Sequence, residues 1–210
     1  MSDFIKRFNQ EDSFAIWPTP PAGTDLTTQV ARNAAFKAAY QPGYPAAELA
    51  ALDALNTTEW QAKMAAVRYV LVGLNPGNAG TAGHFSNFHG AAKSNDANLA
   101  AVVSGTPVWG AFMTDLSQTQ ESDSSKVRVT PADVAALYRH LDALGIPQDA
   151  VVIALHSSVA KALGTAAAQA LRPFDAATQV IPHYSYLYHN PITSSQKARR
   201  TIEALSGMAD

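Results

Sequence analysis

Apolar positions along this chain follow two patterns: short continuous runs, and longer segments in which they recur at helical spacing. Four runs read as strands: Val67 to Leu74, Val108 to Leu116, Ala150 to Leu155 and Thr178 to Ile181. The first holds Val67, Tyr69, Val70, Leu71 and Val72, the length and β-branched content of a strand buried on both faces. Helices are expected between them. Asp25 caps one running to about Tyr40, which Pro42-Gly43 breaks, and Pro45 starts a second to about Ala65. A short helix covers Ser94 to Val103. Thr130-Pro131-Ala132-Asp133 combines a cap, a first-turn proline and an acid at the third position, and that helix stops at Gly145. Ser157 or Ser158 caps the next, to about Leu171, and the last spans about Thr193 to Leu205, ended by Gly207.

A strand-helix alternation repeated four times after two leading helices predicts a parallel sheet covered on both faces. The expected fold is α/β, a three-layer α/β/α sandwich around a central four-stranded parallel sheet. One domain is expected over residues 1–210: an extended, Pro-rich arm to residue 24, leading helices at 25–65 and the α/β core at 67–205. Parallel strands bring their C-terminal ends to one rim, where open α/β sheets bind ligands. Asn75, Asp115, His156 and His183 each fall at or just past such an end.

Composition narrows the chemistry. Of 210 residues, 47% are apolar and 15% charged, so a packed core is expected rather than disorder. The absence of cysteine excludes disulfides, thiolate metal sites and a cysteine nucleophile. The charged N-terminal stretch has no signal-peptide core, and no apolar run approaches the roughly 20 residues of a membrane helix. A cytoplasmic, membrane-free protein is expected. A net charge of −2 argues against indiscriminate polyanion binding but leaves room for a local basic rim. Lys126 and Arg128, and Lys197, Arg199 and Arg200, are candidates for it; such clusters also occur as plain solvated faces.

The first strand ends in Gly73-Leu74-Asn75-Pro76-Gly77, a turn that exposes backbone at the rim and sets an amide at its lip. A long polar loop follows to Lys93, carrying His84, Phe85, Asn87, Phe88 and His89. The fourth strand runs into Pro182-His183-Tyr184-Ser185.

These two motifs together resemble those of the uracil-DNA glycosylase superfamily. Gly73-Leu74-Asn75-Pro76-Gly77 looks like the G-I-N-P-G motif of its mismatch-specific and thymine-DNA glycosylase branch, and His183-Tyr184-Ser185 is similar to the H-P-S-P-L-S motif of other branches. The resemblance covers roughly Val67 to Leu205. Tyr184 and Tyr186 stand where the second motif has prolines, and a strand that supplies an asparagine in many members here ends in Thr114-Asp115.

The resemblance implies removal of uracil or a related damaged or mismatched base from DNA. A monomer without cofactor is expected, and no metal, since the histidines show no tight ligand spacing. His183 would donate to the departing base, the type of interaction whose loss costs about 2.7–4 kcal/mol of barrier. Asn75 would orient the attacking water, since an amide cannot remove a proton. Asp115 would polarise water or stabilise the sugar cation. The base pocket would comprise Gly73, Leu74, Pro76, Gly77, Thr114 and the aromatic faces of Phe85 and Phe88. Leu187 matches an apolar wedge, flanked by Tyr186 and Tyr188, and Ser185, Lys197 and Arg200 would contact DNA phosphates. His84, His89 and His156 are weaker rim candidates.

Each side chain also has a structural alternative: His183 and Asp115 as caps, Phe85 and Phe88 as anchors pinning the loop to the core. Two other functions remain open. One is a non-catalytic nucleic-acid or nucleobase binder on the same scaffold. The other is an unrelated α/β hydrolase built from Ser158 or Ser185, His156 or His183, and Asp115, although no G-x-S-x-G elbow occurs.

Overall fold

The apolar runs become a four-stranded sheet ordered β1-β3-β2-β4, with β1 Ser13–Phe14, β2 Tyr69–Gly73, β3 Phe112–Asp115 and β4 Val151–Ala154. The computed structural model describes residues 8, 12–40, 47–77, 85, 87–89, 95–183 and 190–208. Strand β2 pairs in parallel with β3 (Val72 beside Thr114) and with β4 (Val72 beside Ala154). The fold is mixed α/β, and the helices are α1 Gln29–Ala39, α2 Ala47–Leu52, α3 Thr57–Ala65, α4 Asp96–Val103, α5 Pro131–Leu144, α6 Ser157–Leu163, α7 Ala166–Gln169 and α8 Pro191–Leu205. Among the described residues, no helix is long and apolar enough to cross a membrane.

The sheet is not wholly parallel. Its fourth member is β1, antiparallel to β3 at the edge, drawn from the segment expected as an extended arm. The expected strand at Thr178 to Ile181 contributes one bridge, Val180 beside Ala154. Thr178 and Gln179 are already committed to a turn on the Asp175 carbonyl, and Pro182 has no N–H to extend the ladder. The second strand begins at Phe112 instead of Val108, because Val108 to Ala111 turns through Gly110 at φ 82°.

Alternation along the strands sends side chains into two cores. Val70, Val72, Phe112, Val152 and Ala154 pack with Trp60 and Met64 of α3, Leu137 and Leu141 of α5, and Val159 and Leu163 of α6. Leu71, Met113, Ile153 and Leu155 pack with Phe36 of α1, Leu99 and Val102 of α4, and Ala198 and Ile202 of α8. Each fully buried Val or Leu is worth about 1.5–3 kcal/mol over leaving it exposed.

Helix boundaries follow their caps. Thr130 and Asp133 close a reciprocal capping box on α5, and Gly145 ends it at φ 79°. Thr28 caps α1, while Asp25 makes a local turn with Thr27 instead of the expected cap. Asn56 and Glu59 start α3 afresh, so the single helix expected to Ala65 is two. Gly164 and the Thr165 cap likewise split α6 from α7. His156, rather than either serine, caps α6. Pro42, Gly43 and Pro45 lie outside the described residues.

Candidate functional site

Past the end of the sheet, β2 and β3 stay coupled: Leu116 N–H donates to the Gly73 carbonyl at 3.0 Å and Ser117 N–H to the Leu74 carbonyl at 2.9 Å. Asn75 fastens the loops that follow. Its Nδ2 lies 2.9 Å from the Pro76 carbonyl, 2.9 Å from Thr119 O and 2.7 Å from Glu121 O. Three carbonyls around one atom identify it as the amide nitrogen, with two hydrogens shared among three acceptors. The amide oxygen is thereby turned away from them, able to accept. Leu74 is buried in the core containing Val72, so it meets a pocket only through its backbone. Pro76 is half-buried and Gly77 exposed, with nothing nearer to a Cβ there than Ser122 Oγ at 4.0 Å. Gly77 also lacks a left-handed φ, so the turn does not demand glycine at 77.

Gly73 is different. Asp115 Oδ1 and the Phe88 ring occupy the space a side chain there would fill. Asp115 is buried at the end of β3, and Asn87 Nδ2 donates to its Oδ2 at 2.8 Å. Phe85 and Phe88 flank Asn87 with φ of 58° and 64°. Left-handed backbone at bulky residues costs on the order of 1–3 kcal/mol each. Surrounding contacts offset it: Ser13 Oγ donates to the Phe85 carbonyl, and the Phe85 ring packs 5.3 Å from Phe8 and 5.3 Å from Trp60.

Phe85 and Phe88 are therefore both core anchors, the structural alternative for each: Phe85 in the core with Val72, and Phe88, buried over Gly73, in the core with Leu71. Thr114 is buried on the opposite face from Asp115, with Phe112 and Val72, and its Oγ1 has no hydrogen-bond partner among the described residues. It cannot join Asp115 in one pocket. His89 is structural too: its Nε2 meets the Phe14 carbonyl at 3.0 Å, and burial lowers its pKa to about 3.

On the other side of β2, the register continues. Leu155 N–H donates to Val72 O at 2.9 Å and Ile181 N–H to Ala154 O at 3.0 Å. Asp115, Gly73, Leu155 and Ile181 thus form one row across the sheet, with His156 and His183 just beyond it. Strands lie about 4.8 Å apart, so the row spans roughly 14 Å. Beyond β4 opens a cavity of about 740 Å³, lined by His156, Pro182, His183, Asn190, Ser194 and Lys197 among others. Burial, and secondarily His156 nearby, pushes the His183 pKa down to about 4. Burial lowers His156 as well, and its Nδ1 accepts the Ser158 amide at 3.1 Å. Both rings are therefore neutral near pH 7. A neutral imidazole can donate an N–H to a forming anion while a carboxylate across the row faces a forming cation.

The basic cluster on α8 divides. Arg199 donates to Val102 O at 3.2 Å and Ser104 O at 2.8 Å, closing the C-terminus of α4, so it is structural. Lys197 reaches the cavity, and Arg200 is exposed outside the cavity lining. His84, Tyr184, Ser185, Tyr186, Leu187 and Tyr188 lie outside the described residues. No group of three or more potential metal ligands occurs among the described residues. Among the described residues, Asp115 is hydrogen-bonded to Asn87 rather than to His156 or His183. Asn87 carried no assigned role in the sequence; its position two residues before His89 holds no signal of the contact with Asp115. No family model, curated protein or solved structure matches this chain.

Proposed function

We propose that this chain hydrolyses the N-glycosidic bond of uracil, or of a related damaged or mismatched base, in DNA, on a three-layer scaffold of the uracil-DNA glycosylase type. The carrying observation is the row of strand ends: Asp115 closes β3, Asn75 follows β2 and His183 follows the bridge beyond β4, with the outer members of the row, Asp115 and Ile181, three strand spacings or roughly 14 Å apart. That span suits a nucleoside. The two cores on opposite faces of the sheet support the three-layer reading.

In this reading the base enters the His183 cavity. The C1′–N bond breaks as positive charge grows on the sugar and negative charge on the base. His183, neutral near pH 7, donates an N–H to the base carbonyl oxygen without having to lose a proton first. Asp115 stabilises the sugar cation. The Asn75 amide oxygen, aimed away from the loop carbonyls, accepts from the water that adds to C1′, and that water's proton leaves to solvent. Lys197 offers a cation for a phosphate.

The test is strand cleavage after alkali on labelled oligonucleotides carrying uracil, as single strands and as U·A and U·G duplexes. Wild type cleaves, and His183→Ala falls at least about 100-fold. No cleavage of any of these substrates by folded protein refutes uracil as the substrate and turns the reading to another base lesion or to a binding protein on the same fold.

One observation favours a second reading, a nucleobase or nucleic-acid binder without catalysis. The Asn75 amide hydrogens and the Asp115 carboxylate are both engaged in holding loops. A binder shifts the same labelled oligonucleotides in a native gel while leaving them uncut after alkali.

A further inference from the structure

His156 holds a position usually given to a small polar residue. It is the N-cap of α6, although asparagine, aspartate and serine cap best and serines stand at the next two positions. Capping through Nδ1 requires the lone pair there, so the ring proton resides on Nε2. The cap therefore fixes this histidine as an Nε2–H donor. The same ring lines the cavity that contains His183. Burial disfavours charge on both rings, so they sit near one another without repulsion at neutral pH. Ser157, Ser194, Asn190 and Lys197 add further donors, and no carboxylate lines the cavity among the described residues. Walls rich in donors and lacking carboxylates select an oxygen-rich, electron-rich ligand.

We propose that His156 is a second ligand-contacting residue of this cavity, donating together with His183 to one oxyanionic ligand, a nucleobase anion or a phosphate group. For the nucleobase, this rests on the glycosylase reading; for phosphate, it stands without it.

The experiment records imidazole ¹⁵N–¹H spectra of the full chain at pH 7 during titration with uracil and, separately, inorganic phosphate. The Nε2 signals of His156 and His183 are expected to move together and saturate with one Kd. His156→Asn separates capping from contact, because asparagine keeps the cap and lacks the reach. It is expected to melt within a few degrees of wild type and to bind at least about tenfold more weakly. His156→Ala loses both functions and melts lower. Uracil moving both rings supports the inference and the glycosylase reading together. Phosphate moving both rings while uracil moves neither supports the His156 contact and counts against the glycosylase reading. A ligand that moves His183 alone, or His156→Asn binding as tightly as wild type, overturns the His156 contact and leaves the glycosylase reading standing. Silence of both rings toward both ligands overturns the His156 contact, while the glycosylase reading is decided by the strand-cleavage test.

Discussion

Asp115 and Gly73 share one volume: a methyl group at residue 73 would overlap Asp115 Oδ1 and lie 2.8 Å from Phe88 Cε1. They are register partners at the ends of β3 and β2, and the carboxylate crosses the neighbouring strand end only because residue 73 has no side chain. Both obstructing groups are buried, so neither yields freely. Gly73→Ala is expected to destabilise by about 1–3 kcal/mol, read as a lower urea midpoint. The cost should shrink when Asp115→Ala is combined with it. An unchanged midpoint in the single variant would contradict this packing.

Asn87 supplies a donor to a buried carboxylate. Asn87→Ala should cost roughly 1–3 kcal/mol. Asn87→Asp sets two carboxylates side by side and should cost more at pH 7 than at pH 5, since protonating one relieves the repulsion. Urea unfolding at both pH values checks the order. Equal stability of the two variants at pH 7 would mean that the contact is not made.

Asn75 faces three carbonyls with its amide nitrogen. Replacing it with alanine removes the donors, and replacing it with aspartate points an anion at acceptors. Melting temperatures should therefore fall in the order wild type, Asn75→Ala, Asn75→Asp. Hydrogen exchange at the Glu121 amide, which bonds to Pro76 O, should quicken in both variants. An Asn75→Asp protein as stable as wild type would reverse the amide orientation derived above.

His89 and His183 are held neutral, with burial lowering them from 6.5 to about 3 and about 4. Unfolding restores ordinary values, so below pH 6.5 the unfolded chain binds more protons than the folded one. Their contribution is complete above pH 6.5 and is lost as the pH falls toward 4, continuing toward 3 for His89. The slope is about 1.4 kcal/mol per pH unit for each histidine. Urea unfolding from pH 7.5 to 4.5 should show this decline, and His89→Gln should remove about one histidine's share. A level profile would show that the rings protonate freely in the fold.

Much of this arrangement was legible because its causes are local. The run from Tyr69 to Val72 is too apolar to sit anywhere but between two cores, and Thr130, Pro131 and Gly145 bound α5 through chemistry contained within one turn. The rim placement of Asn75, Asp115 and His183 followed from strand ends alone. What escaped depends on distant partners. Two residues of β1 carry no periodic signal and exist as a strand only against β3. The last apolar run looked like its predecessors until the Asp175 turn removed two of its residues from the ladder. Phe85 and Phe88 have the same side chain in one loop, yet one enters the core on each side of the sheet, a difference set by backbone conformations that side-chain identity does not encode.

The pairing of Ser13 with Met113 joins residues made about a hundred positions apart. During synthesis the first of them waits while the other is still to be translated, several seconds at ribosomal speed. The outer flank of β3 can close only after that delay, so β1 is expected to dock late and the nascent chain to pass through a stage with that flank open. A chaperone or a neighbouring nascent chain would find it then, and shortening the N-terminus would make that transient exposure permanent.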